Sequence, residues 1–205
     1  MAGALIATTA ISLFEVRQKP ATRTPAAADK ILVEKSAHRL TLFCSGRKLK
    51  EYRIALGFSP VGPKQREGDG RTPTGSYGFG SFFFGVNSRP SGIRYAWRHA
   101  YTYDVWDDDS SSARYNLWTN RNRHYPGRGP EPMHVSPAYN YGAVIAYNTA
   151  RKPGLGSAIF LHVSHGSSTA GCVAVPQADL LKLLRWLNPK LSPRIIMGTT
   201  SAITK

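Results

Sequence analysis

The sequence predicts a mainly β domain with a single helix. Short apolar runs bounded by Gly, Pro, Asn and Ser recur along the chain, which is typical of strands joined by turns. One stretch, residues 177–187, instead repeats its leucines at helical spacing. The length of 205 residues fits one domain with a sizeable core, and the hydrophobic fraction of 41% and charged fraction of 19% are typical of a folded globular protein.

The first strands are predicted to form an antiparallel meander. Three strand candidates occupy residues 30–35, 38–44 and 49–57, and only short polar turns separate them. The second candidate alternates apolar and polar residues, as a strand with one buried face does. A charged loop over residues 63–71 and a further short strand over residues 74–79 follow.

Residues 85–137 form the least regular part of the sequence. Their aromatic residues include Trp97, Tyr101, Tyr103, Trp106, Tyr115, Trp118 and Tyr125. This many aromatic side chains argue against disorder, and long irregular segments in compact domains are commonly functional. We interpret the segment as an ordered excursion that walls an active site, and a satellite core beneath a long loop is the compatible alternative.

The last third of the chain returns to regular structure. Strands are predicted at residues 143–148, 158–163, 172–175 and 194–197, and the first two of these are continuously apolar, as strands buried on both faces are. The helix is predicted over residues 177–187. Pro176 suits its start, and Asn188-Pro189 ends it.

The chain is strongly basic, with 27 Lys and Arg against 12 Asp and Glu, a formal charge of +15 and a pI of about 10.2. Such a charge favours polyanionic partners. The basic residues are scattered and form no recognised nucleic-acid-binding motif, so we expect an anionic cell wall or membrane surface and no nucleic acid. A basic surface that serves only solubility is the alternative.

The N-terminus carries an apolar run over residues 2–14, which is shorter than the roughly 20 residues that span a bilayer. Small residues at 26–28 are compatible with a cleavage site. We therefore interpret residues 1–28 as a candidate signal peptide or N-terminal anchor, and residues 29–200 as the catalytic domain of an exported protein.

The motif with most chemical content lies at residues 159–176. An apolar strand carries His162, a Ser/Thr/Gly loop follows, and the loop ends in Gly171-Cys172 before a second apolar run. A thiol is a strong nucleophile only as its thiolate, and an imidazole within reach can accept its proton. The segment therefore predicts a cysteine acyl-transfer site.

This segment resembles the signature of the YkuD-type L,D-transpeptidases, the penicillin-insensitive enzymes that cross-link peptidoglycan. Their usual motif ends in Ser-His-Gly-Cys, an apolar residue, and Arg or Asn, whereas this chain reads Thr-Ala-Gly-Cys-Val-Ala over residues 169–174. The Gly-Cys pair is kept, and Ala170 stands in place of the second His. The motif of this chain is similar to an actinobacterial variant of the family's motif. Residues 29–57, 62–79, 115–118 and 141–198 also resemble the family.

The resemblance implies a YkuD-like β-sandwich or barrel with one amphipathic helix after the cysteine, peptidoglycan stem peptides as substrate, and no cofactor or metal. Cys172 would be the nucleophile and His162 the general base, its ring oriented by a backbone carbonyl near residue 163 or 164. His165 competes for the base role. The remaining candidates are Gly171 and Thr169 for the oxyanion and its support, and His165, Ser167, Ser168, Trp106 and Trp118 for substrate binding.

Other interpretations of these residues are less favoured. His162, His165 and Cys172 lack an evident fourth ligand for a structural zinc site. A disulfide between Cys44 and Cys172 is not expected, because Cys44 ends a strand remote from the motif. L,D-carboxypeptidase activity could accompany transpeptidation. A different cysteine amidase or endopeptidase of the cell wall, and an inactive wall-binding module, are the alternatives, although papain-like and NlpC/P60-like enzymes place Cys before His.

Overall fold

The structure, a computed structural model, describes residues 27–59, 62–124 and 129–199. Two five-stranded sheets pack on each other, and a three-stranded sheet and one helix complete the domain. The strands are β1 (Lys30–Glu34), β2 (Arg39–Cys44), β3 (Arg47–Arg53), β4 (Gly75–Tyr77), β5 (Phe79–Gly85), β6 (Ala96–His99), β7 (Asp104–Asp107), β8 (Leu117–Asn120), β9 (Glu131–Pro132), β10 (Gly142–Ile145), β11 (Phe160–Val163), β12 (Val173–Val175) and β13 (Arg194–Gly198). This confirms the mainly β prediction.

The first sheet has the strand order β3-β2-β1-β13-β4. Strands β1, β2 and β3 are successive antiparallel neighbours, so the predicted meander is confirmed, with β3 ending at Arg53 rather than at residue 57. Strand β13, from the end of the domain, pairs in parallel with β1. The sheet thus joins the two ends of the described chain.

The second sheet has the order β12-β11-β10-β5-β6 and carries the cysteine motif. Strands β10 and β11 are buried at every residue, as their continuous apolar runs predict. Strand β12 pairs in parallel with β11, and His162 lies opposite Ala174 in the register. Because the pair is parallel, the loop that follows Val163 runs back from the end of β11 to the start of β12 at Val173.

Residues 85–137, the least regular part of the sequence, contain four short strands that were not predicted. Strands β6 to β9 lie there, and β8, β7 and β9 form the third sheet. Each has only two to four residues, and β7 buries acidic residues, so no apolar alternation marks them. The predicted strand at residues 74–79 is also two strands, because β4 pairs with the first sheet and β5 with the second.

The helix α1 (Gln177–Trp186) follows β12 directly and confirms the predicted helix, one residue shorter at its end. It buries Leu180, Leu183 and Leu184 in the main core, which fills the space between the two large sheets. A 3-10 turn, Pro189–Leu191, leads into β13. None of the helices in the described ranges is long and apolar enough to cross a membrane.

The N-terminal segment predicted at residues 1–28 lies outside the described residues, apart from residues 27 and 28. Ala28 is fully buried, and its N–H donates to the Trp186 carbonyl at 2.8 Å. The packed body of the protein is therefore already established at Ala28.

Candidate active site

Strand β11 separates two cores through its alternating side chains. Leu161 and Val163 point into the main core, whereas Phe160 joins a second, largely aromatic cluster. Because residues two apart on a strand share a face, His162 lies on the same side as Phe160, and the Tyr139 ring packs edge-on against both. Cys172 belongs to this second cluster, so the two motif residues share one face of the sheet.

Cys172 is 8% exposed and its sulfur is held by the start of β11. The thiol donates to the Ala158 carbonyl at 3.2 Å, and the Phe160 N–H donates to the sulfur at 3.3 Å. Burial raises the pKa of the Cys172 thiol to about 12. The hydrogen bond from the Phe160 N–H and the charge of Lys64 act in the opposite direction and lower this pKa. The resting sulfur is therefore a protonated thiol.

His162 is 6% exposed and its ring is fixed by the backbone. Nδ1 lies 2.9 Å from the Val163 carbonyl oxygen, which can only accept a hydrogen bond. Nδ1 therefore carries the proton in the neutral ring and leaves Nε2 as a base. Burial lowers the pKa of His162 to about 4, so the ring is neutral near neutral pH.

His162 and Cys172 are diagonal neighbours rather than directly bonded. Since His162 lies opposite Ala174, the two side chains are offset by two residues, about 7 Å along the strands. Within the part of the chain that the structure describes, no hydrogen bond joins the imidazole to the sulfur. Both residues nevertheless line one cavity of about 150 Å³, which we call the histidine cavity.

The histidine cavity gathers most of the predicted site. Its lining includes His165, Ser168 and Thr169 in addition to His162 and Cys172. Ser167 is exposed and is not among the residues lining this cavity. Ala170, at the place of the family's second His, also borders it. His165 is exposed, whereas His162 is buried and oriented, which favours His162 as the base.

Thr169 and Gly171 shape the turn that presents the cysteine. The Thr169 hydroxyl donates to the Cys172 carbonyl at 2.8 Å and accepts from the Gly171 N–H at 3.1 Å. This N–H, a predicted oxyanion donor, is thus already engaged in the resting turn. Gly171 has φ of +144°, and a Cβ there would lie 2.9 Å from the Arg71 carbonyl oxygen. The position therefore requires glycine.

A second cavity of about 350 Å³ lies on the other side of Cys172, and we call it the charged cavity. Three carboxylates and one ammonium line it: Glu67, Asp108, Glu131 and Lys64. Lys64 is paired with Asp69 at 2.8 Å. Although burial acts to raise the pKa of Asp69, hydrogen bonds from Lys64 and three backbone N–H groups hold it well below its usual range. Cys172 and Ala170 border both cavities.

Two residues that support the cysteine, Asn116 and Lys35, were not predicted from the sequence. Asn116 Oδ1 accepts from the Ala158 N–H at 3.3 Å and from the Trp106 indole at 2.9 Å. It thereby holds Ala158, whose φ of +51° is unusual for alanine and whose carbonyl accepts the hydrogen bond from the Cys172 thiol. The only sequence signal was the family-like segment at residues 115–118, which contains Asn116.

Lys35 supports the cysteine turn through the loop of residues 62–74. This buried ammonium donates to the Gly62 and Thr72 carbonyls at 2.7 and 2.6 Å. Burial and the nearby Arg71 lower the pKa of Lys35. Thr72 in turn accepts from the Gly57 N–H at 2.9 Å, and Gly57 pairs with Thr169. A continuous set of hydrogen bonds therefore connects the 62–74 loop to the cysteine turn.

Trp106 and Trp118 lie behind the cysteine rather than in an open wall. They are 7% and 8% exposed and pack, with Phe84 and Phe160, in the same aromatic cluster as Cys172. Their indole N–H groups are bonded to Asn116 and Asp104. Both indoles pack in the second core. Contact of either one with a substrate stays a prediction.

The motif of residues 159–176 thus lines a cavity and supplies it with a buried thiol, an oriented imidazole and a glycine turn of positive φ. A scan against family models gives a match to the L,D-transpeptidase catalytic domain, the YkuD family, over residues 28–196. The chain belongs to this family. Cys172, the predicted nucleophile, follows Gly171, and Ala170 stands where the resemblance expects a second histidine.

Solved structures give weaker likenesses. The helical cell shape determining protein Pgp2 from Campylobacter jejuni has a TM-score of 0.48 and 16% identity, covering 85% of this chain and 49% of that one. Bd1075 from Bdellovibrio bacteriovorus has a TM-score of 0.46 and 18% identity, covering 86% and 50%. An L,D-transpeptidase from Mycobacterium smegmatis has a TM-score of 0.44 and 10% identity, covering 84% and 59%.

The chain therefore spans about half the length of the first two of these structures. No curated protein sequence matches the chain. Within residues 27–59, 62–124 and 129–199, no group of three or more His, Cys, Asp or Glu side chains is arranged to hold a metal ion. Cys44 and Cys172 are both free thiols.

Proposed function

We propose that this chain is a cysteine-dependent L,D-transpeptidase that acts on peptidoglycan. The donor is a tetrapeptide stem, and the bond that breaks joins the L-centre of its third residue, a diamino acid, to the terminal D-Ala. The observation that carries this proposal is the placement of Cys172 on the wall shared by two cavities, one of which holds the oriented base His162. Family membership supports the same chemistry.

The proposed reaction has two acyl-transfer steps. The Cys172 sulfur attacks the carbonyl carbon of the diamino acid, its proton passes to His162 Nε2, and a tetrahedral oxyanion forms. Collapse breaks the C–N bond, D-Ala leaves as the amine after receiving that proton, and a thioester remains. An acceptor amine then attacks the thioester carbonyl, which yields the cross-link amide and restores the thiol.

Burial of both groups places a condition on the first step. With the thiol pKa raised and the imidazole pKa lowered, the neutral pair dominates over the thiolate–imidazolium pair near neutral pH. The thiol must also leave the Ala158 carbonyl before it can reach His162. We therefore infer that proton transfer accompanies substrate binding instead of preceding it, so that the resting enzyme holds no reactive thiolate.

Water can replace the acceptor amine, which would give L,D-carboxypeptidase activity from the same thioester. The balance depends on how far the cavities exclude water once the donor is bound. An inactive wall-binding module is disfavoured, because Cys172 and His162 both line the histidine cavity. Export to the periplasm or wall, and attraction of the +15 chain to that anionic surface, belong to the same proposal.

The proposal is tested by incubating purified protein with a tetrapeptide stem, with and without a second stem as acceptor. Release of D-Ala, tripeptide and cross-linked dimer is quantified by mass spectrometry, and a stem that ends in L-Ala serves as the matched control. We expect D-Ala release and dimer formation, with little L-Ala release. A folded protein that releases no D-Ala under either condition would refute the proposed function.

A further inference from the structure

A surface cavity away from the cysteine has the features of a binding site. It has a volume of about 670 Å³ and is lined mainly by residues of β6, β8 and the 99–104 connection. We call it the tyrosine groove, after Tyr101 and Tyr103 in its wall. Neither histidine of the cysteine motif borders it, so the acyl-transfer chemistry does not account for it.

The two tyrosines form an exposed, stacked pair of aromatic rings. They are 50% and 48% exposed, and their rings stack with centroids 5.4 Å apart and an interplanar angle of 7°. His99 adds an edge contact to Tyr101 at 4.6 Å. Exposed, mutually oriented aromatic rings in a groove are suited to stacking against the flat apolar face of a ligand.

The groove also contains polar groups that the fold leaves unsatisfied. Thr119 is 6% exposed and lines the groove, yet its hydroxyl has no hydrogen-bond partner among the described residues. The indole N–H of Trp97, another lining residue, also has none there. Both atoms are buried, so they lie within the wall of the groove and are not exposed to a ligand in it.

The charge of the groove selects against cations. Arg98, Arg114 and Arg123 line it, whereas Asp104 is the one acidic residue in the lining. Both carboxylate oxygens of Asp104 are already engaged, Oδ1 by the Trp118 indole and Oδ2 by the Tyr101 N–H. The available groups are thus aromatic faces, cations and neutral donors, which fit a neutral or anionic ligand with flat apolar faces and polar edges.

We propose that the tyrosine groove binds the glycan strand of peptidoglycan, a polysaccharide of β-linked, N-acetylated amino sugars. The C–H faces of the sugar rings would stack on the exposed rings of Tyr101 and Tyr103, while acetamido carbonyls and hydroxyls pair with the arginines. The choice of a glycan rests on the proposed function, because a stem peptide attached to its polymer always brings a glycan strand with it.

The groove is connected to the cysteine through aromatic packing. The Arg98 guanidinium lies 4.5 Å from the centroid of the Trp118 ring, and Trp118 packs edge-on against Phe84 at 5.5 Å. Phe84 in turn contacts Phe160, whose N–H holds the Cys172 sulfur. A glycan in the groove would therefore lie against the aromatic cluster that packs behind the cysteine.

Binding is measured directly, without any catalytic step. Peptide-free glycan strands are co-sedimented with the protein, and a chito-hexaose titration is followed by tryptophan fluorescence. The variants are Tyr101→Ala/Tyr103→Ala and Arg123→Glu, with Leu191→Ala and Arg47→Glu as matched controls, since Leu191 and Arg47 are exposed but lie outside the groove. Circular dichroism melting confirms that each variant is folded.

We expect the double tyrosine variant to bind chito-hexaose at least about tenfold more weakly, and both controls to stay within about twofold of wild type. If the double variant fails to fold, Arg123→Glu decides the question, with a weakening of several-fold expected. Undiminished binding by the folded variants would overturn the proposal. So would a wild-type preference for a single-stranded oligonucleotide, which basic and aromatic grooves also bind.

The two proposals fail separately. A wild-type protein that binds peptide-free glycan yet releases no D-Ala from a soluble tetrapeptide would refute the proposed enzyme activity. The proposal that the tyrosine groove binds glycan would still stand. A protein that releases D-Ala and does not bind glycan would refute the groove alone.

Discussion

The two cavities that meet at Cys172 differ in size, charge and construction. The histidine cavity, of about 150 Å³, is built mostly from one continuous segment, and no carboxylate is among its lining residues. The charged cavity, of about 350 Å³, draws Glu67, Asp108 and Glu131 from separate parts of the chain. Under the proposed function, the local motif would supply proton transfer, and residues brought together by the sheet topology would surround the substrate.

Replacing the sulfur removes the thiol that borders both cavities, and it has the largest expected effect. Cys172→Ala should abolish D-Ala release while the domain stays folded, because only a small buried side chain is shortened. D-Ala release and the thermal midpoint are measured together. Cys44→Ala is the matched control and should keep activity, and full activity of Cys172→Ala would exclude a thioester mechanism.

The histidine cavity is tested next by its two imidazoles. His162→Ala should slow acylation by about 10²–10⁴-fold, the usual contribution of a general base, whereas His165→Ala should have a much smaller effect. The reason is that His162 is buried and oriented through Val163, while His165 is exposed. Rates of carbapenem acylation, followed by mass, compare the two variants. A slower His165→Ala would exchange their roles.

Burial of His162 also predicts how stability depends on pH. Since the pKa of His162 in the folded protein, about 4, lies below the ordinary histidine pKa of 6.5, the unfolded chain binds the extra proton as the pH falls from 6.5 to 4. The stabilisation is present above about pH 6.5, and about 3 kcal/mol of it should be lost on acidification to pH 4. Urea unfolding from pH 4 to 7 measures this loss.

His162→Gln should flatten that pH dependence, whereas His165→Gln should largely preserve it. An identical slope in wild type and His162→Gln would show that the imidazole is not buried in its neutral form.

The charged cavity should have a smaller, electrostatic effect on the thiol. The Glu131 carboxylate opposes ionisation of Cys172, whereas the Lys64 ammonium favours it. Glu131→Gln should therefore speed iodoacetamide alkylation of Cys172 at pH 8 by a few-fold, and Lys64→Met should slow it. Peptide mapping separates Cys172 from Cys44. Equal rates in all three proteins would mean that this cavity does not act on the sulfur.

The sequence was sufficient wherever structure depends on local periodicity. The leucine spacing predicted α1, and the continuous apolar runs predicted β10 and β11. Strands β6 to β9 were missed because they are short and because β7 buries Asp104 and Asp107, which are satisfied by specific hydrogen bonds such as that from the Trp118 indole. Such pairings leave no periodic pattern in the sequence.

The residues of the candidate site also fall into a group that the sequence predicts and a group that it does not. Cys172, His162 and the glycine turn lie in one motif and were therefore visible in the sequence. Asn116, which holds the strained Ala158, comes to the cysteine from over 50 residues away in the chain, and the carboxylates of the charged cavity are similarly dispersed. Their proximity depends on sheet topology, which residue types alone do not encode.

The central claim, that Cys172 is the acyl-transfer nucleophile, is tested most directly by intact mass and peptide mapping after incubation with a carbapenem. The account predicts a single covalent addition, located on the peptide that contains Cys172 and missing from Cys172→Ala. Folded wild-type protein that releases D-Ala from the tetrapeptide, yet carries no adduct on Cys172 or carries it on another residue, would contradict the account.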